Sequence, residues 1–213
     1  MKLLKITAQG LPLFKGELDL VLYARQRIGE DDKTLLYPLF SNVYLNPANG
    51  FIGVNASGKT SVLKLVLLVL NMLNNEPLNH IETKDILGDA KKVVLNCWFY
   101  SAVSDEVCRL ETVIASEYDK AEGIRYSIVQ ERLWTKKVTN ITTRKSMTDF
   151  EGRKPLLVRS DREDFLSDDV SIMIARNKKT KEQIKAVSLL RFTNRNVLPF
   201  SDDIPVEVIT FLD

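Results

Sequence analysis

Apolar residues recur with period two over much of the chain and with helical spacing in one uninterrupted run. Near the N-terminus Leu4, Ile6 and Ala8 alternate with Lys5 and Thr7, and Leu18, Leu20 and Leu22 alternate with Glu17, Asp19 and Val21. Gly10-Leu11-Pro12 lies between them, and strand patterns flanking a turn signal predict a hairpin over residues 2–23. Residues 25–38 are charged and end at Tyr37-Pro38, which predicts a surface loop. Period two returns at Val93. Val93, Leu95, Cys97 and Phe99 share one face, with Val94, Asn96, Trp98 and Tyr100 opposite. Cys108, Leu110, Thr112 and Ile114 then oppose Arg109 and Glu111, and Tyr126, Ile128, Gln130, Arg132 and Trp134 form a third series. Turn clusters at 101–106 and 116–123 separate these runs, so they predict a three-stranded antiparallel β-meander. Residues 138–143 and 156–158 would extend it.

Between hairpin and meander, residues 61–70 run without Gly or Pro, and Asn74, Asn75 and Pro77 supply a stop. This predicts one long helix, and its apolar residues on nearly every side predict burial on both faces. A shorter helical stretch is expected over 81–87. Beyond residue 160 the pattern turns helical again, over 163–176 and over 180–192 with Ile184, Val187, Leu189 and Leu190. The basic run Arg176-Asn177-Lys178-Lys179-Thr180-Lys181 between them reads as a solvated link.

The residues just before the long helix change the picture. Gly53-Val54-Asn55-Ala56-Ser57-Gly58-Lys59-Thr60 fits G-x-x-x-x-G-K-[ST] at every fixed position. Upstream, residues 42–45 and Phe51-Ile52 are β-prone, so strand, glycine loop and helix would follow in order. Gly53 and Gly58 permit backbone torsions and close approaches that a Cβ obstructs. The N–H groups between them can wrap a phosphate, and the helix adds its unpaired N–H groups and the positive end of its dipole. Lys59 would reach the β- and γ-phosphates of a nucleoside triphosphate. The Thr60 hydroxyl would be a ligand of its Mg²⁺, and Ser61 would complete the binding stretch.

Composition adds boundaries rather than chemistry. At 213 residues, 45% hydrophobic and 27% charged, the chain is ordinary globular material with enough apolar residues for a real core. A formal net charge of +2 points neither to nor away from nucleic acid. Cys97 and Cys108 have no metal-ligand spacing, and two reduced, half-buried thiols in the cytoplasm are expected. The N-terminus has no secretory h-region, and the most apolar run, 62–73, is too short to span a bilayer.

The loop's Gly-x-Asn-Ala-Ser-Gly-Lys-Thr resembles that of ABC-class ATPases of the SMC/RecF/OLD type, more narrowly the bacterial "AAA family ATPase" proteins of phage-defence and abortive-infection systems. Leu3-Leu4-Lys5-Ile6 followed by Phe14-Lys15 is similar to their first strand and its turn. The meander over 93–114 resembles their first-lobe hairpins, and Ile128-Val129-Gln130-Glu131-Arg132-Leu133-Trp134 resembles a strand found there. The resemblance covers residues 1 to about 135. It departs at Ala56 and Ser61, where many members have Gly and Asn.

The resemblance implies an α/β (α+β) fold. Residues 1–160 would be the P-loop ATP-binding first lobe of an ABC-type head with its antiparallel β-meander, and 161–213 a helical extension. It implies ATP and Mg²⁺ as cofactors, with two heads closing as a homodimer over ATP, coupled to a nuclease or toxin effector. It implies Lys59 as a catalytic phosphate contact, and Gln130 as the glutamine that senses Mg²⁺ and the attacking water. A signature sequence is absent, and the nearest match to an apolar strand ending in an acid is 208–213, ending at Asp213. The chain therefore reads as an N-terminal piece whose ATP hydrolysis needs further parts. Two alternatives stand beside this: a non-hydrolysing nucleotide-binding regulatory or scaffold module, and nucleic-acid binding through Arg132, Lys136, Lys137, Arg144, Lys145, Arg153 and Lys154.

Overall fold

The computed structural model describes residues 1–26, 28–52, 58–120, 123–162 and 166–177. The chain is mixed α/β, with few helices and a sheet that is antiparallel throughout its six strands. Its order is β2 (Leu18–Val21), β1 (Lys2–Gln9), β5 (Val93–Ser101), β6 (Glu106–Asp119), β7 (Gly123–Lys137) and β8 (Leu157–Val158). The expected N-terminal hairpin is present, with Ile6 opposite Leu20 and Ala8 opposite Leu18. Gly10 turns out of β1 at φ 82, and a Cβ there would sit 2.4 Å from the Lys92 carbonyl oxygen, so only glycine fits. The meander is also present: β5 and β6 pair from Val93↔Ile114 to Ser101↔Glu106, and β6 and β7 from Asp119↔Gly123 to Glu106↔Lys137.

One sheet face carries Ile6, Leu95, Cys97, Phe99, Cys108, Leu110, Ile114, Ile128 and Leu133 into the main core. α1 (Lys59–Leu73) covers it with Leu65, Leu68, Val69, Met72 and Leu73. Lys64 Nζ meets Asp85 Oδ2 at 2.5 Å, tying α1 to the 3₁₀ turn Glu82–Leu87 that follows it. The other sheet face carries Leu4, Trp98, Tyr100, Val107 and Trp134. It is covered by the separate two-stranded sheet of β3 (Tyr37–Phe40) and β4 (Val43–Leu45), and by Ile141, Met147 and Phe150.

Several expectations are corrected. α1 is buried on one side only: Leu63, Leu67 and Leu70, spaced by four and three residues, are 51%, 50% and 38% exposed. Residues 25–38 are not all loop, since Asp31–Leu35 forms a 3₁₀ turn and Tyr37-Pro38 opens β3. No strand runs through Phe51-Ile52. β4 ends at Leu45, Asn46 and Asn49 close a side-chain hydrogen bond (3.2 Å) around Pro47, and Ile52 is fully exposed. Residues 138–143 are not a strand. Val138–Asn140 is a 3₁₀ turn, and α2 (Arg144–Thr148) starts on a capping box in which Thr143 and Ser146 each accept from the other's N–H. The meander hairpin is longer than predicted, because β6 continues through polar residues to Asp119, past the edge of the core.

The predicted helix over 163–176 shrinks to α3 (Met173–Asn177). The backbone just before it bonds outward instead of to itself: Asp168 O accepts from the Ile128 N–H (2.7 Å) and Asp169 O from the Leu78 N–H (2.7 Å). Leu166, Val170, Ile172, Met173 and Ile174 belong to the main core. The predicted helix over 180–192 and the apolar stretch over 208–213 that ends at Asp213 lie outside the described residues.

Cys97 and Cys108 sit diagonally on β5 and β6, both buried and reduced. Burial raises both thiols, that of Cys108 to about 12. Because the thiolate is the reactive form, neither thiol should react with a chromogenic disulfide at pH 8 while the chain is folded. Both should react once it is unfolded in urea, and prompt labelling of the folded chain would contradict this placement.

Candidate functional site

Residues 53–57 of the glycine loop lie outside the described residues, so Gly53, Val54, Asn55, Ala56 and Ser57 are assigned by sequence alone. The second half of the motif is described. Gly58 caps α1 in the left-handed region, at φ 85 and ψ 11. A residue with a Cβ pays roughly 1–2 kcal/mol in that conformation, and a Cβ here would also lie 3.4 Å from the Phe14 ring. Phe14 belongs to the β1–β2 connection, so the turn after the first strand packs against the start of the helix. The Gly58 carbonyl accepts the first helical bond, from the Val62 N–H (3.0 Å).

Lys59, Thr60 and Ser61 therefore occupy the first turn of a fifteen-residue helix, Lys59 and Ser61 half-buried and Thr60 exposed. The first N–H groups of any α-helix have no acceptor within the helix. No acidic residue lies in this first turn, so the helix itself supplies no carboxylate to offset its positive end. The arrangement suits an anion brought to the N-terminus of α1.

Gln130 lies on β7, away from the first turn of α1 in sequence and on a different element. It pairs with Val113, one step from the Thr112↔Glu131 pair that faces α1, and therefore points to the opposite sheet face. With its amide oriented to satisfy both groups, Gln130 Oε1 accepts from Arg132 Nε (3.1 Å) and Nη2 (2.5 Å). Arg132 also approaches Glu111 Oε1 at 3.8 Å.

The basic residues singled out for nucleic acid are largely engaged within the chain. Lys136 is buried, its Nζ donating to the Ser146 and Asp149 carbonyls beneath the Phe150 ring; burial lowers its ammonium pKa. Arg144 donates to the carbonyls of Arg25 (2.5 Å) and Gln26 (2.6 Å), and Lys137 to that of Ser104 (2.7 Å). Lys145, Arg153 and Lys154 remain exposed. The two tryptophans on that face are taken as well. Arg109 lies 5.6 Å from the Trp98 ring and 4.9 Å from the Trp134 ring, and the indole N–H groups donate to the carbonyls of Thr148 and Arg153.

A charged centre that the sequence reading passed over lies on the α1 face. Glu131 is fully buried. Its Oε1 accepts from Thr112 Oγ1 (2.9 Å) and Ser171 Oγ (2.7 Å), its Oε2 from the Ile172 N–H (2.7 Å), and Arg159 Nη1 stands 3.7 Å away. Burial pushes the carboxyl above its ordinary range, against the donors from Ile172, Ser171, Arg159 and Thr112. The one signal available was that Glu131 shares strand parity with Leu133.

Among the described residues no three His, Cys, Asp or Glu side chains gather as a metal site, and no helix is long and apolar enough to cross a membrane. Compared with protein-family models, with curated proteins and with solved structures, the chain matches none.

Proposed function

We propose that the chain binds a nucleoside triphosphate, ATP with Mg²⁺, at the start of α1, as the P-loop lobe of an ABC-class ATPase head. The observation that carries this is the end of the complete G-x-x-x-x-G-K-[ST] spacing on a left-handed Gly58 that opens a long helix lacking any first-turn acid. The antiparallel sheet against which α1 packs supports the ABC-type reading over a doubly wound kinase, in which strands and helices alternate. Lys59 would hold the β- and γ-phosphates by charge-assisted hydrogen bonds, and the first N–H groups of α1 would bind the same oxygens. Thr60 would contribute its hydroxyl to Mg²⁺, whose other ligands would come from phosphate and water. The metal, when bound, neutralises phosphate charge. Phe14 would hold the Gly58 turn in place from behind. Gln130 has no part in this reading.

Titration of the full chain with Mg·ATP against Lys59→Ala tests the reading. Losing a hydrogen bond to a charged group is worth about 1.5–3 kcal/mol, so affinity should fall roughly ten- to hundredfold in Lys59→Ala. Equal affinity in the two proteins, or no binding by the unmodified chain, would remove the assignment.

A further inference from the structure

We infer that residues 166–177 form a strap that docks on the sheet and leaves it as one unit, with Glu131 as its clasp. The strap runs along the α1 side of the sheet from the β7 edge to the β5–β6 turn. It begins where Arg125 holds Asp168 with two hydrogen bonds (3.0 and 3.1 Å) and the Ile128 N–H donates to the Asp168 carbonyl. Asp169 is held by the Leu78 N–H and by Asn79 Nδ2 (3.2 Å), in the 3₁₀ turn that follows α1. Arg159 donates to the carbonyls of Val170 (2.8 Å) and Ser167 (2.7 Å). Glu131 takes Ser171 and the Ile172 N–H at the middle. The far end closes on Arg176, which donates to Ser104 Oγ (2.9 Å), lies 3.7 Å from Glu106 Oε2, and stacks over the Phe99 ring at 5.8 Å.

The strap belongs to no sheet ladder, and ahead of the short helix α3 its internal bonds among the described residues are local ones: Val170 N–H to Ser167 O, Ser167 Oγ to Asp169 Oδ1 and Met173 N–H to Ser171 Oγ, with Ile174 N–H to Ser171 O and Ala175 N–H to Ile172 O leading into α3. The course of the stretch ahead of α3 is therefore set largely from outside. Most of those outside partners are polar groups of the sheet and of the turn after α1, and they work only while the strap is in place. Once one is lost, the remaining contacts face a segment whose only regular element, the five-residue helix α3, is too short to be stable by itself, and the whole stretch loses protection together. Its departure uncovers Ile128, Glu131 and Leu133 on β7 while leaving the β5–β6–β7 ladder paired. This inference does not depend on nucleotide binding at α1.

Amide hydrogen exchange read by mass spectrometry on the full chain tests it, with Ser171→Ala at the clasp and Arg176→Gln at the far end. Either substitution should speed exchange throughout 166–177 by roughly ten- to hundredfold, the range expected for one lost hydrogen bond to a charged group. β5 and β6 should keep their protection. The decisive result is in Arg176→Gln: the Ile172 amide, bonded to an untouched Glu131, should exchange faster. Acceleration confined to 174–177 would mean a fraying end. Equal acceleration of the strap and of β5–β6 would mean global opening. Unchanged exchange in both variants would mean no clasp. Each of these three overturns the inference.

Discussion

Glu131→Ala is expected to lower the unfolding free energy by about 3–5 kcal/mol, the range for removing one member of a buried, hydrogen-bonded charge pair. Three donors lose their acceptor at once: Thr112 Oγ1, Ser171 Oγ and the Ile172 N–H. Arg159, itself 5% exposed, keeps its two strap carbonyls but loses its nearby countercharge. A domain of this kind has about 5–15 kcal/mol in hand, so much of the population would unfold under mild urea. Glu131→Gln behaves differently. The amide oxygen can accept from the Ile172 N–H, and the NH₂ can donate to the hydroxyls of Thr112 and Ser171, which rotate to receive it. Its stability should stay within about 1 kcal/mol of the unmodified chain, because the charge that burial disfavours is gone as well. Urea unfolding of the three proteins separates these outcomes, and a Gln variant as weak as the Ala variant would contradict the geometry.

The same carboxyl gives a pH dependence whose sign can be worked out. Burial, the largest influence on it, raises Glu131 above its ordinary value of 4.5. A carboxyl that holds its proton more tightly in the folded state favours folding at low pH, and its ionised form reduces stability as pH climbs from the unfolded value through the folded one. The difference in stability between Glu131→Gln and the unmodified chain should therefore grow in favour of Gln as pH rises above 4.5, then level off. A difference that grows toward acid instead would mean that the donors outweigh burial.

How far the sequence could be read is clearest on β7. Its residues Tyr126, Ile128, Gln130, Arg132 and Trp134 alternate without a break and read as one face. In the structure Ile114 pairs with Ile128 but Val113 with Gln130, so Val129 is an extra residue and the parity changes there. Tyr126 and Ile128 face α1, and so do Glu131 and Leu133, while Gln130, Arg132 and Trp134 face away. A one-residue bulge leaves no mark on a period-two pattern. It placed Gln130 on the sheet face away from α1 and hid Glu131 in the core. The hairpin, the meander and α1 were legible because their patterns run long enough to outweigh local irregularity. The stretches 138–143 and 166–172 were not: a 3₁₀ turn and the local Thr143–Ser146 capping box override the strand pattern of the first, and partners distant in sequence, Glu131, Ile128 and Leu78, set the second. Of the candidate site, the fixed positions of the motif were readable outright. The left-handed Gly58 that they require is present, whereas the expected strand through Phe51-Ile52 is not.

Phe99→Ala should rival Glu131→Ala in size, at about 3–5 kcal/mol. Phe99 is fully buried on β5, opposite Leu3 on β1 and Cys108 on β6. Its ring joins three parts of the molecule, because the core on this face includes α1 and the strap, and the Arg176 guanidinium lies over it at 5.8 Å. Truncation leaves a cavity walled by strands on both sides, which cannot close without shifting the ladder. Phe99→Leu fills most of that space and should lose much less. What it still loses includes the cation–π contact, about 0.5–1 kcal/mol at a site open to some solvent and more when desolvated. Arg176 is 13% exposed, so the larger end of that scale applies. A double-mutant cycle of Phe99→Leu with Arg176→Met isolates this coupling. A coupling near zero would show that Arg176 is held by Ser104 and Glu106 alone, and a loss below about 1 kcal/mol for Phe99→Ala would show that the two sides of this core are not joined through the ring.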